Sequence, residues 1–288
     1  MEITKFIIEY IRSSIIISLG LAGALFLPII ISLFFLIILS ALQEKRLWDI
    51  GGYRLVLSVA WIGTPIHELS HLLAAIIFRH RIKEIKLFKP DPKTGGLGYV
   101  THSYDTGSLY QSVIGNFVIA LAPFIGGIAV LYLLVKLLAP SFSLSGINVP
   151  VIHHLTIYNF LLPGSYVRFI QSSWDFFVYL SSHIFSYESL FSWKFYLFIY
   201  LIFSVSSYLA PSAHDFKLFL KPLIILLFIS FIAVMATRPF TDISEWILLH
   251  YSSTGLKFLP LLYLAIFLNC AGCVLIHIVW GIKKALWG

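Results

Sequence analysis

Residues 55–78 read LVLSVAWIGTPIHELSHLLAAIIF, an apolar run long enough to cross a bilayer that nevertheless carries His67, Glu68 and His71. Histidines four apart lie one above the other on a helix face. A glutamate beside the first reaches the space in front of them, so the spacing fits two metal ligands and a general base. Ionisable side chains at membrane depth are costly, which makes three of them together a functional candidate by default. The competing reading is a pair of core histidines satisfied by neighbouring hydrogen-bond partners. Pro65 precedes His67 by two residues and predicts a kink just ahead of the motif.

The same apolar character runs through the rest of the chain. Of 288 residues, 59% are hydrophobic and only 11% are charged, with a mean hydropathy of +0.92. These values exclude an ordinary soluble domain and predict an all-α polytopic membrane bundle. Apolar runs at roughly 13–43, 55–78, 112–138, 193–210, 220–237 and 257–282 give about six transmembrane helices. No polar linker divides them, so 1–288 reads as one integral-membrane domain with a core at about 55–220 and C-terminal helices at about 220–288. The segment 139–192 is apolar but broken by Pro140, Pro150, Pro163 and Gly164, and reads as a re-entrant or interfacial helical pair. The N-terminus carries Glu2 and Glu9 ahead of a long apolar run, the pattern of a retained anchor rather than a cleaved signal.

Between the second and third runs, Ile82 to Phe88 and Tyr99 to Tyr104 alternate apolar and polar residues around a turn-rich stretch. This predicts a small β-hairpin at about 82–104, on the membrane surface just after the motif helix. The net charge of +7 is spread over loop ends, as topology determinants are, so no nucleic-acid partner is expected. Six spans put both termini on the side of the hairpin. That side collects 12 of the 20 lysines and arginines, which predicts cytoplasmic termini. The two cysteines, Cys270 and Cys273, lie in the last apolar run and read as packing residues.

A catalytic metal needs a third protein ligand and an open position. The candidates near helix ends are Asp215, His214, Asp175, His153 and His154. Asp215 leads, because it follows the break at Pro211 and falls on the side where the motif helix ends. Its alternative role is to cap the helix that starts near Ser212. His214 reads as a neighbour of the ligand set or as an incidental surface histidine. Topology places His153 and His154 on the far side.

With these residues in view, the chain resembles the site-2 class of intramembrane zinc metalloproteases, and in particular a divergent bacterial branch, over roughly 55–220. The resemblance is carried by Pro65 to His71, Gly95 to Tyr104, Gly115-Asn116-Phe117 through Ala122-Pro123, and Pro211 to Asp215. It implies one Zn2+ per chain held by His67, His71 and Asp215, with Glu68 as the base. It also implies that Asn116 and Asn159 support the substrate or the oxyanion. For Asn116 an interhelical hydrogen bond is the ordinary alternative. The setting implied is a bacterial inner (cytoplasmic) membrane. The class places its ligand aspartate in an Asn-Pro…Leu-Asp-Gly context. Asn159 to Gly164 echoes the first half, but no Asp-Gly follows.

The expected activity is hydrolysis of a peptide bond in or near a transmembrane segment of a protein or peptide substrate, with the lipid bilayer as the other partner. An open strand edge in 82–104 would hold the substrate extended. A homo-oligomer stays open. The alternative from another class is a non-hydrolytic metal-binding membrane protein, a transporter or sensor. Transporters commonly show inverted repeats and polar residues along a path, whereas this chain shows one cluster and no repeat. A scaffold with a degenerate site is a third reading, against which Glu68 is intact.

Overall fold

The computed structural model describes residues 2–138, 171, 174–175, 178, 182, 191–237 and 259–287. Asn159, His153, His154 and most of 139–192 lie outside the described residues. The chain is predominantly helical: α1 (Glu2–Ile77), a hairpin of β1 (Arg81–Lys86) and β2 (Tyr99–Ser103), a π-helical turn (Tyr110–Gly115), α2 (Asn116–Leu138), α3 (Trp193–Ser207), α4 (Ala213–Thr237) and α5 (Leu259–Trp287). Its contacts divide it into two compact units. One comprises 1–31, 143–181 and 223–260, and the other 32–142, 182–222 and 261–288. In the first, the Tyr10 hydroxyl donates to the Met235 carbonyl. The second holds all the chemistry described below.

Four of the described helices are long and apolar enough to cross a membrane: Ile3–Gly23, Tyr110–Leu138, His214–Thr237 and Leu261–Leu286. They make this a membrane protein. Sequence periodicity predicts about six spans, and the motif-bearing stretch is not among these four. The histidines, Glu68 and the Gly63-Thr64-Pro65 triplet that make it interesting also dilute its hydropathy. Trp193–Ser207 is a shorter apolar helix.

The element that positions the motif is a reversal inside α1. Gly52 has φ 63° and ψ −159°, a conformation that essentially only glycine tolerates. An unbroken helix advances 1.5 Å per residue, so Ile37 and Glu68 would stand more than about 40 Å apart; instead they border one cavity. The chain therefore folds back at Gly52. Leu47 packs against Val56 and Val59 across the bend, backed by Phe203 of α3 and by Tyr208 and Ile276. No residue of α1 other than Gly52 leaves helical dihedrals, so the break lies at Gly52 and not at Pro65.

A buried polar network ties the first arm of the bend to α3 and α5. Gln43 Nε2 donates to the Asn269 carbonyl over 2.6 Å. Asn269 Nδ2 donates to Ser206 Oγ over 2.6 Å, and Ser207 Oγ donates to Gln43 Oε1 over 3.1 Å. Such bonds hold helices together where no hydrophobic force distinguishes a neighbour from lipid. The second arm meets α2, β1 and α4 through Ala74, Ala75, Ile119 and Ala122, with Ile82 and Leu218 packed alongside. Close approach here uses Gly126: a Cβ at that position would come within 2.9 Å of Ser70 Cβ.

The hairpin pairs antiparallel, with Ile82 opposite His102, Glu84 opposite Thr101 and Ile85 opposite Val100, and a bulge between Ile82 and Glu84. Its connecting loop turns around Asp91, whose carboxylate accepts from the Lys93 backbone N–H over 2.9 Å and from the Thr94 hydroxyl over 3.0 Å. Those bonds hold the exposed Asp91 carboxyl below the usual range.

Candidate metal centre

His67 and His71 project from successive turns of α1's second arm. His67 Nδ1 lies 2.8 Å from the Tyr208 carbonyl oxygen, and His71 Nδ1 lies 2.9 Å from the Ile119 carbonyl oxygen. A carbonyl oxygen only accepts, so each Nδ1 carries the proton and each Nε2 presents a lone pair. The two Nε2 atoms face each other at 3.2 Å. Tyr208 follows α3 and Ile119 lies in the first turn of α2, so two other elements fix the imidazole rings.

Asp215 closes the set from the first turn of α4. Its Oδ1 lies 3.2 Å from His71 Nε2 and its Oδ2 3.6 Å from His67 Nε2. Ser212 holds the carboxylate: its backbone N–H and its hydroxyl both donate to Oδ2, over 2.7 and 2.6 Å. Ser212 Oγ in turn lies 3.2 Å from the Asp215 backbone nitrogen. This is a reciprocal capping box, so the two roles weighed for Asp215, helix cap and member of the cluster, are both performed by one side chain.

One ligand atom from each of the three residues lies within 4.8 Å of the others, and together they can hold a metal ion. The chemistry of the donors favours one. Three acceptors converge, and among the described residues no donor lies between the two Nε2 atoms and the carboxylate, which requires a cation or an added proton. Bonds of 2.0–2.1 Å in a tetrahedral site separate ligands by about 3.3 Å, close to the 3.2, 3.2 and 3.6 Å found here. Hydrogen bonds to the outer nitrogens and to the carboxylate are the usual support of a metal-ligating set.

No family model, curated protein or solved structure matches this chain. The functional reading rests on its own side chains.

Glu68 lies beside the cluster and lines, with His67, a cavity of about 440 Å³. The hairpin lies against it. The Val100 backbone N–H hydrogen-bonds to Glu68, and a Cβ on Gly98 would fall 3.0 Å from Glu68 Cγ and 2.7 Å from the Leu87 carbonyl. Glycine at 98 is what lets the backbone pass this close.

The other residues singled out from sequence fall elsewhere. Asn116 is buried, but its Nδ2 turns back to the Ser112 carbonyl over 3.0 Å, and its Oδ1 has no hydrogen-bond partner among the described residues. It neither bridges helices nor borders the cavity. His214 is exposed. Asp175 is exposed and belongs to the other compact unit. Cys270 and Cys273 are both free thiols.

One arrangement escaped the sequence reading. His80, just past α1, is buried and stacks on Tyr104 with ring centroids 5.1 Å apart. Its Nε2 lies 3.2 Å from the Gln111 carbonyl and its Nδ1 lies 3.0 Å from His102 Nδ1. His80 therefore donates to Gln111 and accepts from His102, pinning β2 to the end of the motif helix and to the π-helical turn. Burial, with the neighbouring His80 adding to it, pushes the His102 pKa down to about 4. Nothing in the local pattern links residues 22 apart, although two histidines flanking an alternating segment are a usable hint.

Proposed function

We propose that this chain is an intramembrane zinc metalloprotease of the site-2 type, cleaving a peptide bond in or near a transmembrane segment. The observation that carries the reading is the convergence of two Nε2 lone pairs and one carboxylate, 3.2–3.6 Å apart, with Glu68 beside them on an open cavity. Two histidines and a carboxylate suit zinc among the divalent metals.

Zinc, when bound, supplies Lewis acidity, making water acidic near neutral pH and polarising a carbonyl. The chain's own residues do the rest. The Tyr208 and Ile119 carbonyls orient the two imidazoles, and Ser212 orients Asp215. Glu68 takes a proton from the attacking water on its carboxylate and returns it to the nitrogen of the departing amine. The hairpin beside Glu68 offers strand edges on which an unwound substrate can lie extended. A bacterial inner membrane with cytoplasmic termini is the setting that goes with this reading.

Incubation of the zinc-loaded, detergent-purified protein with transmembrane peptides tests it. Wild type should cleave, and Glu68→Gln should be slower by about 10²–10⁴-fold with its metal retained. Metal binding with no cleavage by wild type of any peptide would favour a metal transporter or sensor.

A further inference from the structure

The last turns of α5 lie against the reversal of α1. Lys283 Nζ donates to the Asp49 and Ile50 carbonyls over 3.0 and 2.8 Å, backbone groups left open where the first arm ends before Gly52. Arg46 Nε donates to His277 Nε2 over 3.2 Å, and its Nη1 lies 3.1 Å from Asp49 Oδ2. The Arg46 guanidinium stands 3.9 Å from the centroid of the Trp280 ring, and Lys284 Nζ stands 5.3 Å from the same ring's centroid. His277 adds no charge, because its Nδ1 donates to the Cys273 carbonyl over 2.8 Å while its Nε2 accepts from Arg46.

The local balance is positive. Over the reversal and the end of α5, Lys45, Arg46, Arg54, Lys283 and Lys284 meet only Glu44 and Asp49, and Glu44 borders the cavity. A staple between α1 and α5 accounts for Arg46 and Lys283, whose partners are protein atoms. It does not account for Lys45, Arg54 and Lys284, which are exposed and make no ion pair among the described residues. Like charges within a Debye length of one another repel, and an anion shared between them relieves the repulsion.

The depth of the cluster names the anion. Lys283 and Lys284 lie in the last turn of the span Leu261–Leu286, where that helix leaves the hydrocarbon. Aromatic rings mark the same level: Trp280 beside its two cations, and Trp48, 48% exposed, edge-on to Tyr53 with centroids 5.6 Å apart. Tryptophan and tyrosine collect at headgroup depth, and the anions present there are lipid phosphates. A zwitterionic headgroup brings its own cation and leaves the positive excess unmatched, whereas an anionic one matches it.

We propose that the face formed by the α1 reversal and the end of α5 binds the headgroup of an anionic phospholipid, with Lys45, Arg54 and Lys284 as the cations that meet it and Trp48 and Trp280 as interfacial anchors.

The test mixes the full chain in detergent with dioleoylphosphatidylglycerol or dioleoylphosphatidylcholine and counts retained lipid by native mass spectrometry. Each cation at an anionic surface is worth about fivefold, so wild type should retain the anionic lipid over the zwitterionic one by about tenfold or more. Lys284→Glu shifts the local balance by two charges and should abolish the preference. Lys89→Glu, in the exposed hairpin loop, changes the net charge of the chain equally and should leave the preference intact. Gly281→Lys, where a side chain meets open space, adds a cation and should raise the preference about fivefold, a gain that misfolding cannot produce. Equal retention of the two lipids by wild type, equal effects of Lys284→Glu and Lys89→Glu, or no gain in Gly281→Lys would overturn the proposal. Displacement of phosphatidylglycerol by an equal concentration of inorganic phosphate would also overturn it, by marking a site for a soluble anion. None of these outcomes depends on the chemistry of the metal cluster.

Discussion

Ser212 donates through both its backbone N–H and its hydroxyl to Oδ2 of Asp215, and the other carboxylate oxygen stands 3.2 Å from His71 Nε2. The box that starts α4 is thus also the clamp that aims a carboxylate at two imidazoles. Ser212→Ala removes one of two donors without touching the three converging residues. Zinc affinity, read by chelator competition, should fall by about 10–100-fold, as for other supports of metal ligands, with a loss of about 1 kcal/mol in stability from the weakened cap. Unchanged zinc affinity would mean that Asp215 serves only the helix.

Gly98 sets how closely the hairpin lies on Glu68. A Cβ there would meet the Leu87 and Lys86 carbonyls at 2.7 and 2.8 Å as well as Glu68 Cγ at 3.0 Å. Backbone carbonyls cannot rotate away, so Gly98→Ala should displace the hairpin at a cost of about 1–3 kcal/mol. Peptide hydrolysis should fall while zinc content stays at the wild-type level. Equal loss of both would show that the hairpin supports the cluster rather than the base.

The His80–His102 pair makes hairpin docking pH-dependent. His102 titrates at about 4 when docked and near 6.5 when free, so the undocked form binds more protons between those values and docking strengthens as pH rises. The contribution is fully present above about pH 6.5 and is lost as pH falls towards 4. Tyr104 and Gln111 face the pair from their own elements, and His71 and His214 add repulsion to a charged His102. The protection of the amide hydrogens in residues 99–103, taken relative to their intrinsic exchange rate at each pH, should fall on acidification through this window, and His102→Phe should flatten the profile. A profile in His102→Phe that matches wild type would contradict the assignment.

The legible part of the site was the part encoded by local spacing. His67, Glu68 and His71 share a helix face by the four-residue rule, Ser212 and Asp215 carry a capping pattern three apart, and the alternation at 82–104 marks two strands. What spacing does not encode came only from the fold. The Tyr208 and Ile119 carbonyls that set both imidazole tautomers are backbone atoms, invisible in side-chain chemistry. In the sequence the reversal inside α1 shows only as a gap between two apolar runs. The Gly51-Gly52 pair was its local signal, since one residue there takes a positive φ, whereas Pro65, the more obvious breaker, leaves helical dihedrals intact. The cavity at Glu44 exists only because that reversal brings two stretches some 20 residues apart onto one wall.

The central claim is that His67, His71 and Asp215 form one zinc site with Glu68 left free. Metal content of the detergent-purified full chain tests it most directly, with wild type measured beside His67→Ala, Asp215→Ala and Glu68→Gln. The account predicts about one zinc per chain in wild type and in Glu68→Gln, and little in the other two. Full zinc in Asp215→Ala, or none in a folded wild type, would contradict it.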